Sequence, residues 1–312
     1  MMRGIRIVPD GTNIQFMRGR YAGLIVSFVL SLGSVILFIH PGLNYGIDFT
    51  GGVDVELRLA APTEPATIRA ALEPLQLGEV RVQGFGGPQD VLVRLGPKAA
   101  EQGVNKAVRD AFAQRLPGSE VRRLEIVGAK VSGELFRDGM LAAAMSLLAV
   151  LAYIWFRFDW QFGVGVVATL ILDATKTIGF FALTRIEFDL NSLAAIMILI
   201  GYSVTDKVVV YDRIRENLRK FRTMPLRALI DLSINQTLGR TVATSSTVLL
   251  SILPLAFMGG ESVQNFAVAI VFGIIVGTSS SIFIASPILL FLGEKRLRPN
   301  ANLPAESEAA TA

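Results

Sequence analysis

Six long apolar stretches leave this chain few ways to fold. Each runs for about 19 residues or more, enough at about 1.5 Å per helical residue to cross a hydrocarbon core of about 30 Å. With 52% apolar and only 18% charged residues among 312, the chain is too greasy for an ordinary soluble domain, and its apolar residues are clustered rather than dispersed. The expected class is a polytopic α-helical membrane protein.

The charges give an orientation. Arg3, Arg6, Arg18 and Arg20 precede the first run, Arg213, Arg215, Arg219, Lys220, Arg222 and Arg227 follow the fourth, and Lys295, Arg296 and Arg298 follow the last. The links at 185–189 and 259–261 are poor in cations, so the positive-inside pattern expects both termini in the cytoplasm. The net charge of +4 is spent on these short blocks and carries no nucleic-acid signal. The first run is too long for a signal-peptide core and ends in His40-Pro41-Gly42 rather than a small-residue cleavage site, so it is expected to stay as a span. With no cysteine and one histidine, His40, the chain offers no disulfide, no thiol chemistry and no multi-histidine metal site.

The expected map is a cytoplasmic N-terminus (1–20), spans at 21–39, 132–156, 162–184, 190–211, 240–258 and 264–292, and a cytoplasmic tail (293–312). A cytoplasmic loop at 212–239 carries Leu226, Leu229, Ile230, Ser233, Ile234, Thr237 and Leu238 at the spacing of an amphipathic helix leading into span five. Between spans one and two, residues 40–131 have the texture of a soluble domain. Val53, Val55, Leu57 and Leu59 alternate with polar residues as in a half-buried strand, and Ile68, Ala71, Leu72 and Leu75 share a helical face. Short strands at 79–83 and 90–95, a helix at 101–116 and a strand at 121–127 complete the order β-α-β-β-α-β. That is a small α+β domain of ferredoxin-like type, extracytoplasmic if the N-terminus lies inside.

Polar groups inside the spans point to function. Asp206 stands in an apolar run, where a charge costs roughly 3 kcal/mol or more and is usually kept for proton relay or ion pairing. Lys207 is about 100° away around the helix, so the two cannot address one partner; it is expected to snorkel toward the inner interface. Asp173 and Lys176, three apart on span three, share a face and can neutralise one another. Arg240 opens span five at a depth from which it can reach Asp206, so the expected working constellation is an Asp206–Arg240 pair on facing helices. A carboxylate alternating between protonated and arginine-paired forms would couple proton passage to helix movement. In span six, Gly273 and Gly277, followed by Thr278, Ser279, Ser280 and Ser281, form a small-residue face suited to close helix packing.

These residues also carry a resemblance. Tyr45-Gly46-Ile47-Asp48-Phe49-Thr50-Gly51-Gly52, the stretch from Val127-Gly128 to Glu134-Leu135, Ile200-Gly201-Tyr202-Ser203 with Asp206 and the run 208–217, 233–238 with Arg240-Thr241, and Gly277-Thr278 with 280–285 are similar to the SecF family. That family is the smaller half of the SecDF protein-export complex, in the resistance-nodulation-division superfamily. The resemblance implies an accessory of the Sec translocase with no catalytic activity of its own and no cofactor beyond the proton as coupling ion. It implies SecD as partner, the SecYEG channel and the translocating polypeptide as contacts, YajC as a further candidate subunit, and the bacterial cytoplasmic membrane as location. It places the family's coupling residues on Asp206, Arg240 and Asp173, its signature on Gly46, Asp48, Gly51 and Gly52, and Thr241 among candidate modulators. Lys207 and Lys176 depart from the family pattern, as does Leu172. Two such cations near the carboxylates would hold Asp206 ionised and alter the coupling ion or operating pH.

Two other function classes compete. A superfamily transporter of lipids or small solutes would be expected to hold both six-span halves in one chain. A membrane-embedded hydrolase would need a histidine dyad, a thiol or a Gly-Lys-Ser/Thr phosphate loop, and none occurs.

Overall fold

The computed structural model describes residues 8–9, 12–78, 80–85, 87–101 and 105–292. Arg3, Arg6, Glu79, Gly86, Lys295, Arg296, Arg298 and the tail 293–312 lie outside the described residues. Among the described residues, six helices are long and apolar enough to cross a membrane. They are α1 (Arg20–Ile39), α6 (Ala129–Arg157), α7 (Trp160–Thr184), α8 (Leu190–Lys220), α9 (Leu226–Met258) and α10 (Glu261–Ser280), the last continued by a π-helical turn (Ser281–Ala285) and α11 (Ser286–Leu292).

The apolar and polar patterns explain the boundaries. Asp189 caps α8, its side chain accepting from the Ser192 amide at 2.7 Å. α7 ends where Arg185 turns left-handed (φ 58°). Two expected boundaries move. α8 continues as helix to Lys220, past the expected end at 211. The amphipathic segment and span five form the single unbroken helix α9, because nothing between Leu226 and Arg240 breaks the backbone hydrogen-bond ladder.

α8 lies at the centre of the bundle, packed on α7, α9 and α10, and α1 packs on α7. Gly273 and Gly277 let α10 close onto Leu199 and Ser203 of α8, the use expected of a small-residue face. α6 lies at the edge of the bundle: only 6% of its apolar stretch is buried within this chain, against 56% for the last span, so α6 shows most of its surface to its surroundings.

The α+β domain follows the expected order. After β1 (Asn44–Tyr45) and a short helix α2 (Ile47–Thr50) come β2 (Gly52–Arg58), α3 (Pro65–Leu72), β3 (Val80–Phe85), β4 (Gly87–Leu95), α4 (Pro97–Glu101), α5 (Asn105–Arg115) and β5 (Glu120–Val127). The sheet is antiparallel in the order β3-β4-β2-β5, the split βαβ arrangement. Its inward face, with Val53, Val55, Leu57, Val93 and Leu95, is buried against Ile68 and Leu72 of α3 and Phe112 of α5. A separate parallel pair joins β1 to β6 (Glu187–Phe188), so the root of the α+β domain is tied to the link between α7 and α8.

Candidate functional site

The polar centre of the bundle is built where α7, α8, α9 and the π-helical turn meet. Successive residues on a helix diverge by about 100°, and this decides which neighbour each side chain addresses. Asp206 faces α9 and the π turn; Lys207, one residue on, faces α7.

Asp206 is buried, with 6% of its surface exposed. Thr241 donates to its Oδ1 at 2.8 Å and Ser281 to its Oδ2 at 2.5 Å. Among the described residues, no Lys or Arg forms an ion pair with it, so its only close partners are two neutral hydroxyls from two other helices.

Asp173 is the opposite case. Its Oδ2 accepts from Lys207 Nζ at 2.8 Å, Ser203 Oγ at 2.8 Å and Ser280 Oγ at 2.6 Å. Lys176 Nζ stands 3.6 Å from its Oδ1. Lys207 is fully buried, donating also to Ser280 at 2.9 Å and to the Ser203 hydroxyl. Two ammoniums and one carboxylate thus share one pocket, and the carboxylate is held from both sides.

Three expectations are corrected here. Arg240 does not pair with Asp206: it lies exposed on the face of α9 turned away from α8, while its neighbour Thr241, one step around the helix, takes the facing position. Lys207 does not snorkel, because Asp173 gives it a buried counter-charge within reach. The two unusual cations, Lys207 and Lys176, attend Asp173 and leave Asp206 without a cationic partner. The Asp173–Lys176 contact stands as the spacing suggested.

A layer of hydroxyls sits one turn from Asp206 toward the end of the bundle that carries the α+β domain. Ser245 of α9 meets Tyr202 of α8 at 2.7 Å and Thr278 of α10 at 2.9 Å. Sequence reasoning missed Ser203, Ser280 and Ser281 as ligands of the acids, and Ser245 as the hydroxyl that joins Tyr202 to Thr278. Ser280 and Ser281 were readable only as small residues, since spacing does not say which way a serine points.

The π turn itself is held by buried contacts. Tyr211 of α8, fully buried, donates to the carbonyl of Ala285 at 2.7 Å, and Ser286 donates to that of Ser281 at 3.0 Å. π turns widen the backbone locally and often occur at functional sites. Here the turn brings Ser281 to Asp206.

At the α+β end, the signature residues occupy the junction between domain and bundle. Gly51 and Gly52 have positive φ (71° and 138°), and a side chain on Gly52 would strike the carbonyl of Leu95. The Gly46 amide donates to Phe188 O at 2.9 Å, and its bare Cα lies against the Glu187 carboxylate. Asp48 Oδ2 accepts from the amide of Leu190, the first residue of α8, at 3.1 Å. Arg94 of β4 grips Asp54 through two nitrogens, Nε at 2.9 Å and Nη2 at 3.2 Å, and also pairs with Glu187. A cavity of about 180 Å³ beside it is lined by six carboxylates, Asp48, Asp54, Glu56, Glu125, Glu187 and Asp189. Burial, aided by Asp54 and Asp189, outweighs the pull of Arg94 and pushes the Glu187 carboxyl up to about 7. Burial also raises Asp54 against the pull of Arg94, and Asp48 against its hydrogen bond from Leu190.

Comparison with known proteins places this arrangement. Residues 107–295 match the family model for the SecD/SecF protein export membrane protein C-terminal region, and residues 36–63 match that for the SecD/SecF GG motif. The protein translocase subunit SecF of Cereibacter sphaeroides is 40% identical over 98% of this chain and 98% of its own length. That of Rickettsia rickettsii is 40% identical over 93% of this chain and 96% of its own. The crystal structure of SecDF from Thermus thermophilus, a translocon-associated membrane protein, superposes with a TM-score of 0.83 at 36% identity, covering 90% of this chain. A second SecDF structure, in a super-membrane-facing form, gives 0.69 at 34% identity over 95%. This chain spans only 39% and 41% of those two SecDF chains. With two family models and near full-length relatives in agreement, the chain belongs to the SecF family of protein translocase subunits.

Proposed function

We propose that this chain works with a SecD-type partner as a non-enzymatic accessory of the Sec translocase, using the proton gradient to promote polypeptide export. In this reading it lies in the bacterial cytoplasmic membrane with both termini inside, beside the SecYEG channel and, as a further subunit, YajC. The α+β domain then faces the side on which the exported polypeptide emerges. The proton is the only coupling agent, and no cofactor takes part.

The observation that carries the reading is the contrast between the two buried acids. Asp173 is clasped by two ammoniums, and removing its charge would strand both. Asp206 is buried with hydroxyl partners alone, so its charged form is stabilised only by two hydrogen bonds and proton uptake leaves no cation unpaired. Asp206 is therefore the carrier and Asp173 a fixed structural charge. Arg240, exposed on α9, is available to a partner rather than to this chain's own acid.

Uptake has a defined atom. Ser281 Oγ lies within reach of both Asp206 Oδ2 and the Thr278 carbonyl, the latter at 2.8 Å, and it has one proton to give. When Oδ2 is protonated, Ser281 can turn its proton to Thr278 and accept from the acid. Thr241 stays a donor to Oδ1 throughout. Each cycle thus rewrites the contact between α8 and the π turn. A proton crossing the membrane supplies about 2.3 kcal/mol per 100 mV for such a shift.

The test is Asp206→Asn in vesicles carrying the complete translocase, reading stimulated secretion and proton uptake together. Both should be lost with membrane insertion intact. Undiminished secretion would refute the reading.

A further inference from the structure

The link between α7 and α8 is fastened to the α+β domain by more polar contacts than a passing loop needs. β1 and β6 pair in parallel, with Asn44 opposite Glu187 and Tyr45 opposite Phe188. Asn44 Nδ2 donates to the Arg185 carbonyl at 3.0 Å, and Arg185 Nη1 returns a bond to the carbonyl of Gly42 at 2.7 Å. Beneath them Phe49 meets Phe188 and Phe136, with ring centroids at 5.9 and 5.5 Å.

Two of these contacts reach specific places. Asp48 holds the amide of Leu190, the first turn of α8, where exposed N–H groups and the helix dipole both favour a carboxylate. Arg94 binds Glu187, three residues before that turn, while gripping Asp54, its cross-strand partner in the centre of the sheet. From Leu190 the same unbroken helix continues sixteen residues to Asp206, a rise of about 24 Å. A helix with an intact hydrogen-bond ladder moves as a rod, so displacement at Asp206 arrives at its capped end.

We infer that Asp48 and Arg94 are positioning residues through which movement of α8 is delivered to the sheet of the α+β domain: Asp48 holds the end of the rod, and Arg94 ties its approach to β2 and β4. This gives the acidic residue of the Gly46–Gly52 signature a mechanical role. The inference rests on the proposed function, since it presumes that protonation of Asp206 moves α8.

It predicts that proton flow and export can be separated. In vesicles holding the chain with its SecD-type partner and the channel, Asp48→Ala and Arg94→Gln should keep proton uptake within about twofold of the unaltered protein, while stimulated secretion falls roughly fivefold or more. Asp48→Asn keeps an acceptor for the Leu190 amide and should retain most of the secretion. The conservative variant distinguishes a cap from a charge, a difference that general misfolding would not reproduce. If Asp48→Ala fails to assemble, Arg94→Gln carries the test in its place, and the same separation is required. Undiminished secretion in assembled Asp48→Ala or Arg94→Gln overturns the inference, as does a parallel loss of uptake and secretion, which would assign the contacts to the proton step. Asp206→Asn in the same vesicles separates this failure from that of the proposed function: if it alone abolishes uptake and secretion, the carrier stands and only the transmission route is wrong.

Discussion

Ser281 Oγ stands 2.5 Å from Asp206 Oδ2, offered from a π-helical turn on a different helix. The acid's charged form therefore depends on a hydroxyl that has an alternative acceptor in Thr278. Ser281→Ala removes that donor and should reduce stimulated secretion several-fold, a hydrogen bond to a charged group being worth about 1.5–3 kcal/mol. Ser281→Thr, which keeps the hydroxyl, should retain most activity. Equal activity of the alanine and threonine variants would show that the hydroxyl is idle.

Asp173 and its lysines should behave as a structural unit. Asp173→Asn strands two buried ammoniums and should cost about 3–5 kcal/mol, while the double variant Asp173→Asn, Lys207→Met should recover part of that loss. Thermal denaturation in detergent measures both. A double variant less stable than the single one would contradict the pairing.

Arg240 lies exposed, and Asp206 is satisfied without it. In the isolated chain, the stability changes of Asp206→Asn and Arg240→Ala should add within about 0.5 kcal/mol, as for residues without shared partners. A larger interaction energy would mean that the two meet within one chain.

Glu187 gives a pH dependence with a definite sign. Its carboxyl is raised to about 7 in the folded chain, from an ordinary 4.5, by burial first and by Asp54 and Asp189, against the pull of Arg94. The folded state therefore binds more protons than the unfolded one between these values, and stability from this group falls as pH rises from 4.5 through about 7. Relative to Glu187→Gln, the unaltered chain should lose unfolding stability over that window. Denaturation of the two at pH 5, 6, 7 and 8 checks it, and parallel curves would count against a buried Glu187.

Gly52→Ala should unfold the root of the α+β domain, because φ is 138° there and the added methyl meets the Leu95 carbonyl. A strained backbone of this kind costs about 1–3 kcal/mol. Faster proteolysis of the domain with intact helices is the expected result.

Much of the architecture was legible in the order of residues. The apolar runs specify helices because a backbone in hydrocarbon must satisfy its own hydrogen bonds, and the alternation from Val53 to Leu59 specifies a strand with one face inward. Asp206 was legible from its apolar surroundings as an acid that must find polar partners. Its partner was not. Periodicity says that Thr241 and Arg240 lie about 100° apart on α9, but only the packing of α9 on α8 decides which of them faces the acid. The same rotation, fixed by α7, sends Lys207 into Asp173 rather than to the interface. Ser281 reaches Asp206 through a π turn that no spacing rule announces, and Asp48 reaches α8 across 142 positions of sequence. Local pattern fixes the elements because their hydrogen bonds and apolar faces are local. The choice between one buried neighbour and the next is made by rotation and approach of whole helices, which is a property of the assembled fold.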